Sequence, residues 1–207
     1  MKTKIKLIAF LSVLLLLISN VSSTYARYVS ASTGNVVTDF ARWQILINND
    51  SITENYNTNL QFTPTIEAND NVAAGKFAAG STGYFDIEVN PTYVDVSFDY
   101  NIAISVAPNS DLSDVVINDY ALIDPDTPNV INKVSYNGTS ITGTKNYDNS
   151  NSEFVHETFI VRVYFKWDDV NGTMSDIQDT AIGNMAAKGE DINFDLVASI
   201  TFSQHVE

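Results

Sequence analysis

Val94-Asp-Val-Ser-Phe-Asp-Tyr-Asn-Ile-Ala-Ile-Ser-Val106 alternates without a break: Val94, Val96, Phe98, Tyr100, Ile102, Ile104 and Val106 share one parity, while Asp95, Ser97, Asp99, Asn101, Ala103 and Ser105 share the other. Successive side chains of an extended strand point to opposite faces, so this stretch is a strand with one apolar face and one wet face. Just upstream, Phe85, Ile87 and Val89 alternate with Asp86 and Glu88, and Asn90-Pro91-Thr92 separates the two runs. The expectation is two antiparallel strands joined by a short turn.

The same rhythm returns in Ala41, Trp43, Ile45 and Ile47, in Phe159, Val161, Val163, Phe165 and Trp167, and in Ile192, Phe194, Leu196, Ala198, Ile200 and Phe202. Weaker strands are expected at Leu60–Ile66, Val115–Ile123 and Val130–Tyr136. Half-buried strands of this kind need a second layer, which makes an all-β, two-sheet antiparallel sandwich the economical fold, with jelly-roll connectivity as the first choice. Helix is confined to at most one short candidate near 175–187, where Ile177, Ala181, Ile182 and Met185 recur at helical spacing; Gly183 weakens the run, so the expectation is a loop with a turn or two of helix. Asn48–Asn59 and Gly138–Ser152, rich in Asn, Ser, Thr and Gly, are expected to be exposed loops.

The chain opens with Lys2, Lys4 and Lys6, an apolar run from Leu7 to Ile18, and a small-polar stretch ending Thr24-Tyr-Ala26. That order is the pattern of an export signal, and an apolar run of about a dozen residues falls short of the roughly 20 that span a bilayer. Cleavage between Ala26 and Arg27 satisfies the small-residue rule, as does cleavage after Ser23; the Ala26 position is preferred. The expected organisation is therefore a signal peptide at 1–26, an N-terminal segment at 27–37 and one sandwich domain at 38–207. No stable membrane anchor is expected after cleavage, and the expected location is extracellular, in a matrix or at the cell surface.

The formal charge of −14 becomes −17 once the signal, with three lysines and no acids, is removed. An acidic chain of this kind is a poor partner for nucleic acid or anionic lipid, both of which need a basic footprint. There is no cysteine, so stability must come from packing rather than from disulfides.

Catalytic signatures are missing from the sequence. His156-Glu157 begins a zinc-protease motif, but position 160 is Ile where the second histidine is required, and His205 is the only other histidine. No Gly-x-Ser-x-Gly elbow or phosphate-binding glycine loop occurs. Oxygen-bearing side chains at Asn146, Asp148, Ser150 and Ser152 have the every-second-residue spacing of a calcium loop, although the EF-hand glycine and terminal glutamate are lacking. Calcium is thus the one cofactor the sequence leaves open. Tyr84, Tyr93, Ile160 and Tyr164 fall on the parity opposite the core and are candidates for a partner surface or a sugar-binding platform.

Three segments carry a resemblance: Thr24-Tyr-Ala-Arg-Tyr-Val-Ser with Ala41-Arg-Trp43 beyond it, Ala73-Ala-Gly75-Lys-Phe-Ala-Ala-Gly80-Ser-Thr-Gly83-Tyr-Phe-Asp-Ile-Glu-Val, and Asp179-Thr-Ala-Ile-Gly183. Together they resemble the TasA/camelysin-like secreted proteins of Gram-positive bacteria. The resemblance implies a jelly-roll sandwich, export through a dedicated type I signal peptidase, and self-association into biofilm matrix or fibres in which one subunit's N-terminal strand completes its neighbour's sheet. In this chain the donor would be Arg27–Val37, with Arg27, Tyr28, Val29, Val36 and Val37 as assembly residues. The family label also carries a surface metalloprotease activity, which the isoleucine at 160 argues against. Contact with cell wall or polysaccharide, as a carbohydrate-binding or adhesion module, is the remaining alternative.

Overall fold

A computed structural model describes residues 39–52 and 62–206. Every element below belongs to the unit Phe40–Glu207. The export signal, the Ala26–Arg27 junction and the segment Arg27–Val37 lie outside the described residues.

In chain order the elements are β1 (Trp43–Ile47), β2 (Asp50–Ser51), β3 (Thr65–Ile66), β4 (Thr82–Val94), β5 (Phe98–Val106), β6 (Val115–Ile123), β7 (Val134–Ser135), β8 (Ile141–Lys145), β9 (Phe159–Trp167), α1 (Asp176–Lys188) and β10 (Leu196–Gln204). They form a two-sheet antiparallel sandwich. The larger sheet has the order β2-β1-β4-β9-β6-β7 with β3 also paired to β4, and the smaller has the order β10-β5-β8. The β4–β9 pairing encloses the β5–β8 pairing in sequence, so the sheets are built from long-range, nested partners.

The core lies between the inner parities of the two sheets. Phe85, Ile87 and Val89 from β4 and Phe159, Val161, Val163 and Phe165 from β9 meet Phe98, Tyr100, Ile102 and Ile104 from β5. Each such large side chain, taken fully out of water, contributes about 1.5–3 kcal/mol.

The expected turn at Asn90-Pro91-Thr92 is not one. β4 runs through it to Val94, and the chain crosses to the other sheet over Asp95–Ser97, so the two alternating runs never pair with each other. Proline is tolerated there because β1 skips a register step between Gln44, opposite Tyr93, and Leu46, opposite Asn90, which leaves an extra β4 residue in a bulge where no ladder N–H is required. Arg42 braces the crossover. Its Nε and Nη2 donate to both Asp95 oxygens at 2.7–3.1 Å and its backbone N–H donates to Asp95 Oδ2 at 2.9 Å. These bonds hold the Asp95 carboxyl down at about 2.

Part of the expected loop Gly138–Ser152 is strand. Ile141–Lys145 pairs with Phe98–Ile102, and Ile141 is only 1% exposed. The register demands a glycine at 143, because a Cβ there would fall on the Tyr100 hydroxyl and lie 2.8 Å from ring carbon Cε1. Of the weaker expected strands, Val115–Ile123 forms in full, whereas 60–66 and 130–136 supply only the two-residue strands β3 and β7 among the described residues. The last strand begins at Leu196, not Ile192.

Where the sequence predicts a loop with a turn or two of helix, α1 runs for 13 residues. Ser175 caps it, accepting from Gln178 N–H while the Gln178 side chain takes the Ser175 N–H, and Gly189 ends it at φ 72°. None of its residues is buried, so Gly183 costs it only intrinsic propensity.

Candidate functional site

A sheet edge presents unpaired N–H and C=O groups, and proteins that must stay single blunt their edges with short strands, bulges or inward charges. The larger sheet ends on β2 and β7, each of two residues. In the smaller sheet β8 has five residues, and its inward parity ends in Lys145, whose Nζ sits 4.4 Å from the centre of the Phe159 ring. Those edges are short or carry an inward charge, and β6, which β7 covers only at Asp119 and Tyr120, itself carries Asp119 and a register shift.

β10 is not guarded in this way. Its nine residues, Leu-Val-Ala-Ser-Ile-Thr-Phe-Ser-Gln, contain neither charge nor proline and pair with β5 in unbroken register from Leu196 opposite Val106 to Gln204 opposite Phe98. No strand pairs with its other side among the described residues. Leu196, Ala198, Ile200 and Phe202 pack against the core yet stay only half-buried, while Val197, Ser199, Thr201 and Ser203 face outward and are exposed.

The hydrogen bonds on either side of β10 fix which groups are free. Ala107 N–H donates to Asp195 C=O at 2.9 Å and His205 N–H to Ser97 C=O at 2.9 Å. An antiparallel ladder bonds alternate residues, so odd-numbered positions from 195 to 205 bond to β5. Leu196, Ala198, Ile200, Phe202 and Gln204 therefore turn both backbone groups to the open side.

The far end of this strand is anchored. His205 Nδ1 lies 2.9 Å from Asp99 Oδ2, and the Thr144 hydroxyl donates to Asp99 Oδ1 at 2.6 Å. The Thr144 bond first, then the His205 bond, hold the Asp99 carboxyl below the usual carboxylate range.

The other sequence-predicted residues separate. Tyr84 and Tyr164 do sit opposite each other on the outer face of the larger sheet, with Ile160 on the same face. They do not make a stacking platform: Arg162, held to Asp86 by two 2.7 Å bonds, covers Tyr84 at 4.0 Å, and Lys133 covers Tyr164 at 3.8 Å. Tyr164 is itself only 4% exposed, and Tyr93 stands apart beside Arg42.

His156 is buried among Phe98, Tyr147 and Phe154, with Nε2 3.0 Å from Val96 C=O. In the candidate calcium loop, Asp148 Oδ1 accepts from both the N–H and the hydroxyl of Ser150, which closes a local turn. Among the described residues no three His, Asp or Glu side chains are grouped to hold a metal. The assembly residues Arg27, Tyr28, Val29, Val36 and Val37 and the cleavage site fall outside the described residues. Sequence periodicity marked β10 as a strand but gave no sign that its far side is open, since alternation reports faces and not neighbours.

No protein-family model matches the chain, and no curated protein matches it in sequence.

Proposed function

We propose that this protein is a secreted, non-enzymatic structural subunit of a Gram-positive extracellular matrix, and that copies join when Arg27–Val37 of one adds as a strand to β10 of the next. The observation that carries the reading is the contrast between edges: long, uncharged and half-covered at β10, short or charged elsewhere. Strand addition supplies main-chain hydrogen bonds, and alternate side chains fill what the edge leaves uncovered. The donor sequence suits this, since Val29, Ala31 and Thr33 form one small, mostly apolar parity while Tyr28, Ser30 and Ser32 form a polar one. The first would lie toward Leu196, Ala198, Ile200 and Phe202, and the second would continue the hydroxyl-bearing outer face of β10. The resemblance to matrix proteins and the acidic, cysteine-free composition point the same way.

Electron microscopy of protein beginning at Arg27, beside protein beginning after Val37, tests the proposal. Fibres are expected only in the first. Fibres in both samples, or in neither, would refute donor-strand assembly.

A further inference from the structure

The outer face of the smaller sheet holds a groove of about 410 Å³ whose walls are side chains of three adjacent strands. We propose that this groove binds a neutral polysaccharide, a property independent of strand assembly. The register sorts its polar side chains into two cross-strand rows: Thr142, Asn101 and Thr201 in one, Thr144, Asp99 and Ser203 in the next. Sheet geometry sets neighbours within a row about 4.8 Å apart and the rows about 6.8 Å apart.

Each row places a planar amide or carboxylate between two hydroxyls. A hydroxyl both donates and accepts, an amide offers two donors and an acceptor, and a carboxylate only accepts, so the grid can satisfy sugar hydroxyls in either sense. The Asn101 amide and the Thr142 and Ser203 hydroxyls take no protein partner among the described residues, which leaves them available.

Charge narrows the class of ligand. On a chain of formal charge −14, Asp99 is the only acid lining this groove, and it is already occupied by Thr144 and His205. No lysine or arginine lines it, so an anionic polymer finds no counter-charge. A protein partner would need aromatic or arginine anchors, and the one aromatic at the groove, Tyr100, is buried with its ring against Phe159. A polyhydroxylated, uncharged chain is what remains. With no exposed ring to stack on, single-site affinity is low, and a polymer offering repeated units compensates through effective concentration.

Native affinity electrophoresis of the purified protein, in gels carrying dextran, mixed-linkage β-glucan or polygalacturonate, reads the proposal directly. Retardation is expected in at least one neutral gel and not in polygalacturonate. The double variant Asn101→Ala/Thr142→Val should weaken that retardation about fivefold or more, the scale of one or two lost hydrogen bonds. Ser105→Ala, on the same face outside the groove, should leave it intact. Thermal melts confirm folding, and Asn101→Leu alone replaces the double variant if that one fails to fold. Free migration in both neutral gels, equal retardation of a folded groove variant, or stronger retardation by polygalacturonate would each overturn the proposal.

Discussion

Ala198→Pro tests the proposed assembly edge with little disturbance of the subunit. The Ala198 N–H points to the open side of β10, so proline removes an edge donor and leaves every β10–β5 ladder bond in place. Five residues, Leu196, Ala198, Ile200, Phe202 and Gln204, offer N–H groups to an incoming strand. Proline deletes the second N–H of that series and strands one carbonyl of the donor strand. A lost hydrogen bond costs about 0.5–1.5 kcal/mol and an unsatisfied buried partner about 1–3 kcal/mol, so strand addition should weaken by about 2–4 kcal/mol. At 1.4 kcal/mol per tenfold, that is about 30- to 1,000-fold in the association constant. The isolated subunit should lose about 1 kcal/mol or less, because an edge strand tolerates proline where its N–H faces outward. Ser199→Pro is the opposite case: its N–H belongs to the ladder opposite Ala103, and the subunit itself should be destabilised. Sedimentation and electron microscopy of the Arg27-starting protein, with urea melts in parallel, separate the two. Ala198→Pro protein that assembles at the wild-type concentration would refute the assignment of β10 as the acceptor.

Other outcomes follow from the packing. Asp114 is buried, and its carboxylate accepts from Thr173 N–H at 2.6 Å, Thr173 hydroxyl at 2.9 Å and Met174 N–H at 2.6 Å. Asp114→Ala should therefore cost about 1–3 kcal/mol, read as a lower urea midpoint at unchanged m. Burial pushes this carboxyl up, but those three bonds outweigh it and set it below the usual range. Its stabilisation is thus present above the unfolded carboxylate pKa and lost as pH falls through the lower folded value, so the variant's acid-unfolding curve should be less steep. Gly143→Ala should cost about 1–3 kcal/mol by overpacking against Tyr100, and the penalty should shrink in a Tyr100→Ala background. In Arg42→Ala, the Asp95 titration followed by carbonyl NMR should move from about 2 toward the ordinary 3.8. The Arg42 contribution in the parent is present above pH 3.8 and disappears between 3.8 and about 2; an unmoved midpoint would show the clamp to be absent in solution.

Much of the sandwich was legible because alternation is strictly local. Phe159–Trp167 and Val115–Ile123 are strands over the full lengths their patterns suggest, and the helical spacing of Ile177, Ala181, Ile182 and Met185 marks the place of the helix. What the pattern hid depended on partners. Pro91 looks like a turn until β1 is laid beside it and the register step makes room for a residue without an N–H. Ile141–Lys145 looks like a loop because it lies in a stretch rich in Gly, Asn and Ser and has the poor strand former Gly143 at its centre, and only the Tyr100 ring explains why glycine is required. The aromatic candidates Tyr84 and Tyr164 were correctly placed on an outer face, but the cations that cover them come from β9 and the β6–β7 connection. The open side of β10 follows from the order of strands, which no single segment encodes.

The guarded borders described above have a consequence for growth. On the proposed assembly, a subunit with one acceptor border and one donor segment polymerises in a single dimension, because the short or inwardly charged strands β2, β7 and β8 are poor templates for a second addition. Such a polymer has two chemically different ends, one showing a vacant β10 and the other an unused donor. An Ala198→Pro subunit keeps its donor, so on that assembly it should still join the vacant-β10 end and then present a border that takes the next donor about 30- to 1,000-fold more weakly. Added in small proportion to the parent protein, it should act as a chain terminator, with mean filament length by electron microscopy falling as its mole fraction rises.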